Sequence, residues 1–139
     1  MSGLSIPDNF PIVTLQGQEL SQVSIGRHHV RLNFIRIRTF VAETPKYEDG
    51  AAIDIEAGFE FENQAGEILT AENSDLAQGA SALVELLGCT VTYVHKLSNN
   101  ELQIDFSNKA KLVLNIDFQG FESYHLHIDG ESVDITKEW

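Results

Sequence analysis

Hydrophobic positions along this chain fall into short alternating runs separated by polar turns, the pattern of half-buried β-strands. Val30, Leu32 and Phe34 alternate with polar or charged neighbours, and Leu102, Ile104 and Phe106 do the same at an offset of 72 residues. Upstream of these triplets, Leu15-x-Gly17-x-x-Leu20-x-x-Val23 recurs as Leu86-x-Gly88-x-x-Val91-x-x-Val94, at an offset of 71. Each copy, about 15–40 and 86–117, predicts a strand, a polar turn (Gly26 to His29, Ser98 to Asn100) and a second strand. A repeat this long and in only two copies is no solenoid. Two hairpins of this kind extend one sheet or face each other across a core.

Further strands follow. Ala110, Leu112, Leu114, Ile116 and Phe118 form one apolar face, and Tyr124, Leu126 and Ile128 another. Asp129-Gly130 predicts a tight hairpin into Val133 and Ile135, because Asp-Gly suits the positive φ angles of a type I′ turn. One segment has helical spacing: Leu76, Ala80, Leu83, Val84 and Leu87, with Ser74 and Asp75 at its start and Gly88 at its end. Gly79 costs about 1 kcal/mol against Ala in such a helix, so packing against a sheet must support it. The expected fold is α+β and mainly β: antiparallel sheets built from the two-copy hairpin repeat, with one helix near 74–87, in a single domain of 1–139.

Composition narrows the picture. The 139 residues are 42% hydrophobic, enough for a packed core despite a net charge of -12. The one cysteine, Cys89, makes no internal disulfide and reads as a small buried apolar residue; its solitude fits a reducing, cytoplasmic setting. The N-terminus lacks the charge and apolar run of a secretory signal, and no stretch approaches the roughly 18 apolar residues of a membrane span. The negative charge argues against nucleic acid and anionic membranes as partners.

The charge is unevenly placed. Arg27, Arg31, Arg36 and Arg38 occur with no acid between Leu20 and Ala42, whereas the segment of about 43–75 carries ten acids against Lys46 alone. Within this acidic insertion, Ile53, Ile55, Phe59 and Phe61 alternate with Asp54, Glu56, Glu60 and Glu62, which predicts one strand with a row of carboxylates opposite the core face. Two readings remain open. In one, the chain folds back through Thr44 to Gly50 and places Arg36 and Arg38 across from Asp54 and Glu56 as structural ion pairs. In the other, the acids present a negative surface to a cationic partner. Glu60, Glu62, Glu67 and Glu72 exceed what the arginines supply, and Tyr47, Glu48 and Asp49 in the loop join them as candidate partner-binding residues.

No motif points to catalysis. There is no phosphate-cradling glycine loop, nucleophile elbow or spaced metal-ligand set. His125-x-His127, with Glu122 and Glu131 nearby, has a metal-like spacing, but Tyr124, Leu126 and Ile128 take the inner face and leave both histidines on solvent. His28-His29 lies in a turn, and Cys89 with His95 matches no nucleophile pattern. The expectation is no enzyme, no cofactor and no metal.

The Leu-x-Gly-x-x-Leu repeat, the helix end at Leu86-Leu-Gly88 and the Glu122-Ser-Tyr124 strand together resemble a family of small bacterial β-rich domains of unassigned function. Domains of this kind occur among immunity proteins of contact-dependent growth inhibition and polymorphic toxin systems. The likeness runs from about Leu15 to Ile135, and the acidic insertion departs from it. It implies a protein that binds and neutralises a cognate basic toxin, a nuclease and preferably a ribonuclease, by covering its cationic cleft. A structural or self-associating β-domain is the alternative, and a small-ligand barrel or enzyme is the third reading.

Overall fold

In the computed structural model, residues 5–41, 44–117 and 122–136 are described, and the side chains of 37–46 lie outside the description. The described strands are β1 (Glu19–Ile25), β2 (Val30–Val41), β3 (Thr44–Ile55), β4 (Gly58–Glu62), β5 (Ile68–Glu72), β6 (Val91–Lys96), β7 (Leu102–Phe106), β8 (Lys111–Leu114), β9 (Tyr124–Ile128) and β10 (Glu131–Ile135). They form two antiparallel five-stranded sheets, β1-β2-β3-β9-β10 and β5-β4-β8-β7-β6. We call these the first and second sheets. Among the described residues one short α-helix, α1 (Leu76–Ala80), completes an α+β, mainly-β fold.

The two repeat copies adopt the same local structure. Each begins with a 3-10 turn, Ile12–Leu15 or Ser81–Leu86. Gly17 and Gly88 then take φ angles of 88° and 83°. Nothing lies within 4 Å of a Cβ built at either glycine, so the left-handed backbone, not lack of space, selects glycine there. Each copy continues into a hairpin, β1–β2 or β6–β7.

The copies also bond to each other reciprocally. Gly17 N–H donates to Val91 O at 2.7 Å, and Gly88 N–H to Leu20 O at 2.9 Å. Leu20 N–H donates to Cys89 O at 3.0 Å, and Val91 N–H to Gln18 O at 2.9 Å. Applying the sequence offset of 71 turns each bond of a pair into the other. A pseudo-two-fold axis therefore passes beside the Glu19–Thr90 bridge that joins the two sheets.

The symmetry extends beyond the repeat. After β3 the chain leaves the first sheet, and hairpin β4–β5 adds to β8 of the second. After β8 it crosses back, and hairpin β9–β10 adds to β3. The crossings are tied together: Glu56 and Ala57 N–H both donate to Ser123 O (2.9 and 3.0 Å), and Asn115 N–H donates to Gly58 O (3.0 Å). Each half thus lends a hairpin to the other half's sheet. The inner faces share one core, with Phe34, Phe59, Phe61 and Tyr124 among its largest fully buried side chains.

Three expectations from sequence change here. The helix of 74–87 is instead a 3-10 turn (Asn73–Asp75), α1 and a second 3-10 turn (Ser81–Leu86). Ala80, Leu83 and Leu86 are buried while Val84 and Leu87 are exposed, a spacing of three that matches the tighter winding. Gly79 is needed for close approach, since a Cβ there would stand 2.5 Å from Ala71 Cβ on β5. Secondly, Ile53 to Glu62 is not one strand. Glu56 and Ala57 link two strands in different sheets, so the row of four carboxylates does not form. Thirdly, Thr44 to Gly50 is strand rather than turn. It extends the β2–β3 ladder to Val41↔Thr44, and Pro45 is tolerated because, among the described residues, this arm of β3 has no partner on its other side.

Candidate functional site

Equivalent backbone positions on the outer faces of the two sheets carry opposite chemistry. On the first sheet, Asp54 pairs across β3–β9 with His125, and Ala52 with His127. The corresponding pairs of the second sheet are Val113 with Glu60 and Lys111 with Glu62. The same scaffold thus presents histidines on one face where the other presents glutamates.

On the first face the charge at the centre, Asp54, is compensated. Asp54 is nearly buried and accepts from His29 Nε2 (2.9 Å), His127 Nε2 (3.0 Å) and Arg31 Nη1 (3.2 Å). Burial alone would raise its pKa, but the hydrogen bonds of the two histidines and the Arg31 charge outweigh that and hold the carboxyl below its ordinary value. His125 sits one strand away, with Nδ1 2.5 Å from Asp134 and Nε2 3.3 Å from Glu56. Desolvation there opposes protonation, yet Asp134 and Glu56 together raise the imidazole pKa. His125 and His127 do face away from the core, as their alternation with Tyr124, Leu126 and Ile128 predicts.

The expected arginine pairs are corrected by the register. Bulges between Asn33 and Ile35 and between Ile37 and Thr39 carry Arg36 opposite Glu48, and its guanidinium reaches Asp129 of the β9–β10 turn. Asp54 is matched by Arg31, and Glu56 by His125. The side chain of Arg38 lies outside the described residues.

Replacing Asp54 with Asn should remove charge from a site that holds two imidazoles and a guanidinium together. A loss of about 1–3 kcal/mol in urea unfolding is expected. Asp105→Asn weakens a more exposed group of contacts, with His95 (3.2 Å) and Gln103 (2.8 Å), and should cost less than about 1 kcal/mol. Equal losses would show that Asp54 is no organising group.

The second face is left acidic. On the outward positions of β4, β5, β7 and β8, Glu60, Glu62, Glu72 and Asp105 stand against one lysine, Lys111, with His95 of β6 paired to Asp105. Lys111 is opposite both Glu62 and Asp105, so it is shared. Glu60 faces Thr70 and Val113, neither of them a cation. Exposed Ile68 on the edge strand and exposed Tyr93, whose ring lies 4.1 Å from that of His95, supply apolar contact area on the same sheet. Sequence reasoning passed over both, since an exposed Ile or Tyr inside a strand pattern is invisible until the register is known.

The sequence-selected acids are therefore divided. Glu60, Glu62 and Glu72 lie on the second sheet, and Glu67 in the β4–β5 turn, where it accepts from Asn63 Nδ2 at 3.1 Å. Tyr47, Glu48 and Asp49 are exposed on the β3 arm of the first sheet, apart from that group. Among the described residues, no helix is long and apolar enough to cross a membrane. Comparison with family models, curated proteins and solved structures gave no match for the chain.

Proposed function

We propose that this domain is a protein-binding module that docks a cationic partner on the outer face of its second sheet, acting as an immunity protein against a basic toxin, with a ribonuclease favoured. The contrast between the two pseudo-equivalent faces carries this reading: one matches Asp54 with His29, His127 and Arg31, and the other keeps Glu60, Glu62 and Glu72 with little compensating charge. A nuclease fits because its cleft is built to attract a polyanion, and an acidic sheet competes for the same field. Tyr93 and Ile68 would supply the apolar anchors that charge alone lacks. Tyr47, Glu48 and Asp49 would make contact only with a partner that also reaches the first sheet. The self-associating alternative has weaker support, because pairing two copies through this face sets glutamate rows against each other.

The test is affinity for the toxin-like product of the adjoining gene. Replacing Glu60, Glu62, Glu67 and Glu72 together with Gln should leave the melting curve unchanged or slightly improved. The association rate at low salt should fall by about tenfold or more, with a weaker salt dependence. Unchanged affinity at low and moderate salt would remove these acids from the interface.

A further inference from the structure

At the crossing between the sheets, three side chains from two segments converge. Glu56 follows β3, Glu122 precedes β9, and His125 lies within β9. One ligand atom from each falls within 4.8 Å of the others. His125 Nε2 is 3.3 Å from Glu56 Oε2 and 3.7 Å from Glu122 Oε2. Its other nitrogen, Nδ1, is held at 2.5 Å by Asp134, a carboxylate outside this group of three. Held through Nδ1 by Asp134, Nε2 faces the two carboxylates, and the three donor atoms lie close enough together for one cation to take the place of the Nε2 proton.

The surroundings favour an ion over a packed contact. Glu56 and Glu122 line an open depression of roughly 470 Å³ shared with His28, Asn73 and Asp117, all of them polar. Among the described residues, neither Arg nor Lys lines it. An imidazole oriented through its far nitrogen by a carboxylate, with two further carboxylates in front of it, is the donor set of a divalent transition-metal site with room for water or another ligand. Sequence spacing suggested His125 with His127, and no metal. The structure instead separates those histidines, giving His127 to Asp54, and joins His125 to Glu56 and Glu122.

We propose that Glu56, Glu122 and His125 bind one divalent transition-metal ion, with Asp134 positioning the imidazole. The site lies on the first sheet, so the proposal does not depend on the docking face of the second. The fold is expected to form without the ion, because Glu56 and Glu122 are not core residues.

The experiment is calorimetric titration of the full chain with zinc, repeated with cobalt(II) to read the ligand field. One saturable equivalent per chain is expected. Glu122→Gln, at an exposed position, should weaken zinc binding by at least about tenfold, and Asp134→Asn by about 10–100-fold. Glu131→Gln, which alters a nearby acid outside the set, should leave it unchanged. Circular dichroism confirms that each variant is folded. Absence of saturable zinc binding would overturn the proposal. So would binding that Glu122→Gln and Glu56→Gln both leave intact, since the ion would then sit on His28, His29 or His127. If His125→Gln fails to fold, the two glutamate variants still decide the matter.

Discussion

Phe34→Ala and Phe106→Ala should each lower the unfolding free energy by about 3–5 kcal/mol. Both side chains are 2% exposed, and they hold equivalent places at the ends of the triplets Val30, Leu32, Phe34 and Leu102, Ile104, Phe106. All six of these residues are buried, so the two hairpins share an inward register. Removing either ring leaves a cavity in the common core, and the loss exceeds the transfer energy because a β-sheet backbone relaxes little around the hole. Domain stabilities are typically about 5–15 kcal/mol, so each variant gives up a large fraction of the total. Urea unfolding with a constant slope measures the loss. A near-neutral result at one position, with a large one at the other, would mean that the two halves do not carry the core equally.

Side-chain alternation disclosed much of this fold, and its limits are physical. Period-2 patterning reports which face of a strand is buried. It therefore placed Ile53, Ile55, Phe59 and Phe61 in the core correctly, though the chain changes sheets between Ile55 and Gly58. The parity survives the crossing, and nothing in it marks the exchange. Asp129-Gly130 was legible because its chemistry is local: the φ angles are 53° and 78°, both positive as a type I′ turn requires. The cross-copy ladder was only half visible. The spacing of Gly17 and Gly88 repeats in the sequence, but the four bonds around them are backbone to backbone and leave no side-chain signature. The site clusters were the least accessible. His29 meets Asp54 across the β2–β3 ladder, and His127 joins them only because β9 of one half docks on β3 of the other. Glu56 approaches His125 for the same reason, whereas Glu122 is its neighbour three residues before. An alphabet of local spacings favours His125-x-His127, and topology dissolves that pair.

Cutting the chain between Ala80 and Ser81 should yield two fragments that are unfolded alone and fold together. The exchange of hairpins is the cause. Residues 1–80 keep β1–β2–β3 but lose β9, so Ile53 and Ile55 lose contact with Leu126 and Tyr124 across the ladder. Their own β4–β5 hairpin is left with Phe59 and Phe61 facing no Leu112 or Leu114. Residues 81–139 suffer the mirror-image loss. Each large apolar side chain returned to water costs about 1.5–3 kcal/mol, an upper estimate when the unfolded chain is compact. Four in each fragment bring the sum to the scale of a whole domain's stability, about 5–15 kcal/mol. On mixing, β9–β10 can reoccupy β3 and β4–β5 can reoccupy β8, and the Gly17–Val91 and Gly88–Leu20 bonds reform across the cut. Proton NMR reads the outcome: narrow amide dispersion for each fragment, and native dispersion for the equimolar mixture. A fragment that folds cooperatively as a monomer would show that a half closes on its own hairpin, and that the exchange does not hold the domain together. Loss of the native spectrum from the mixture when Phe59→Ala and Tyr124→Ala are combined would trace the association to the exchanged strands themselves.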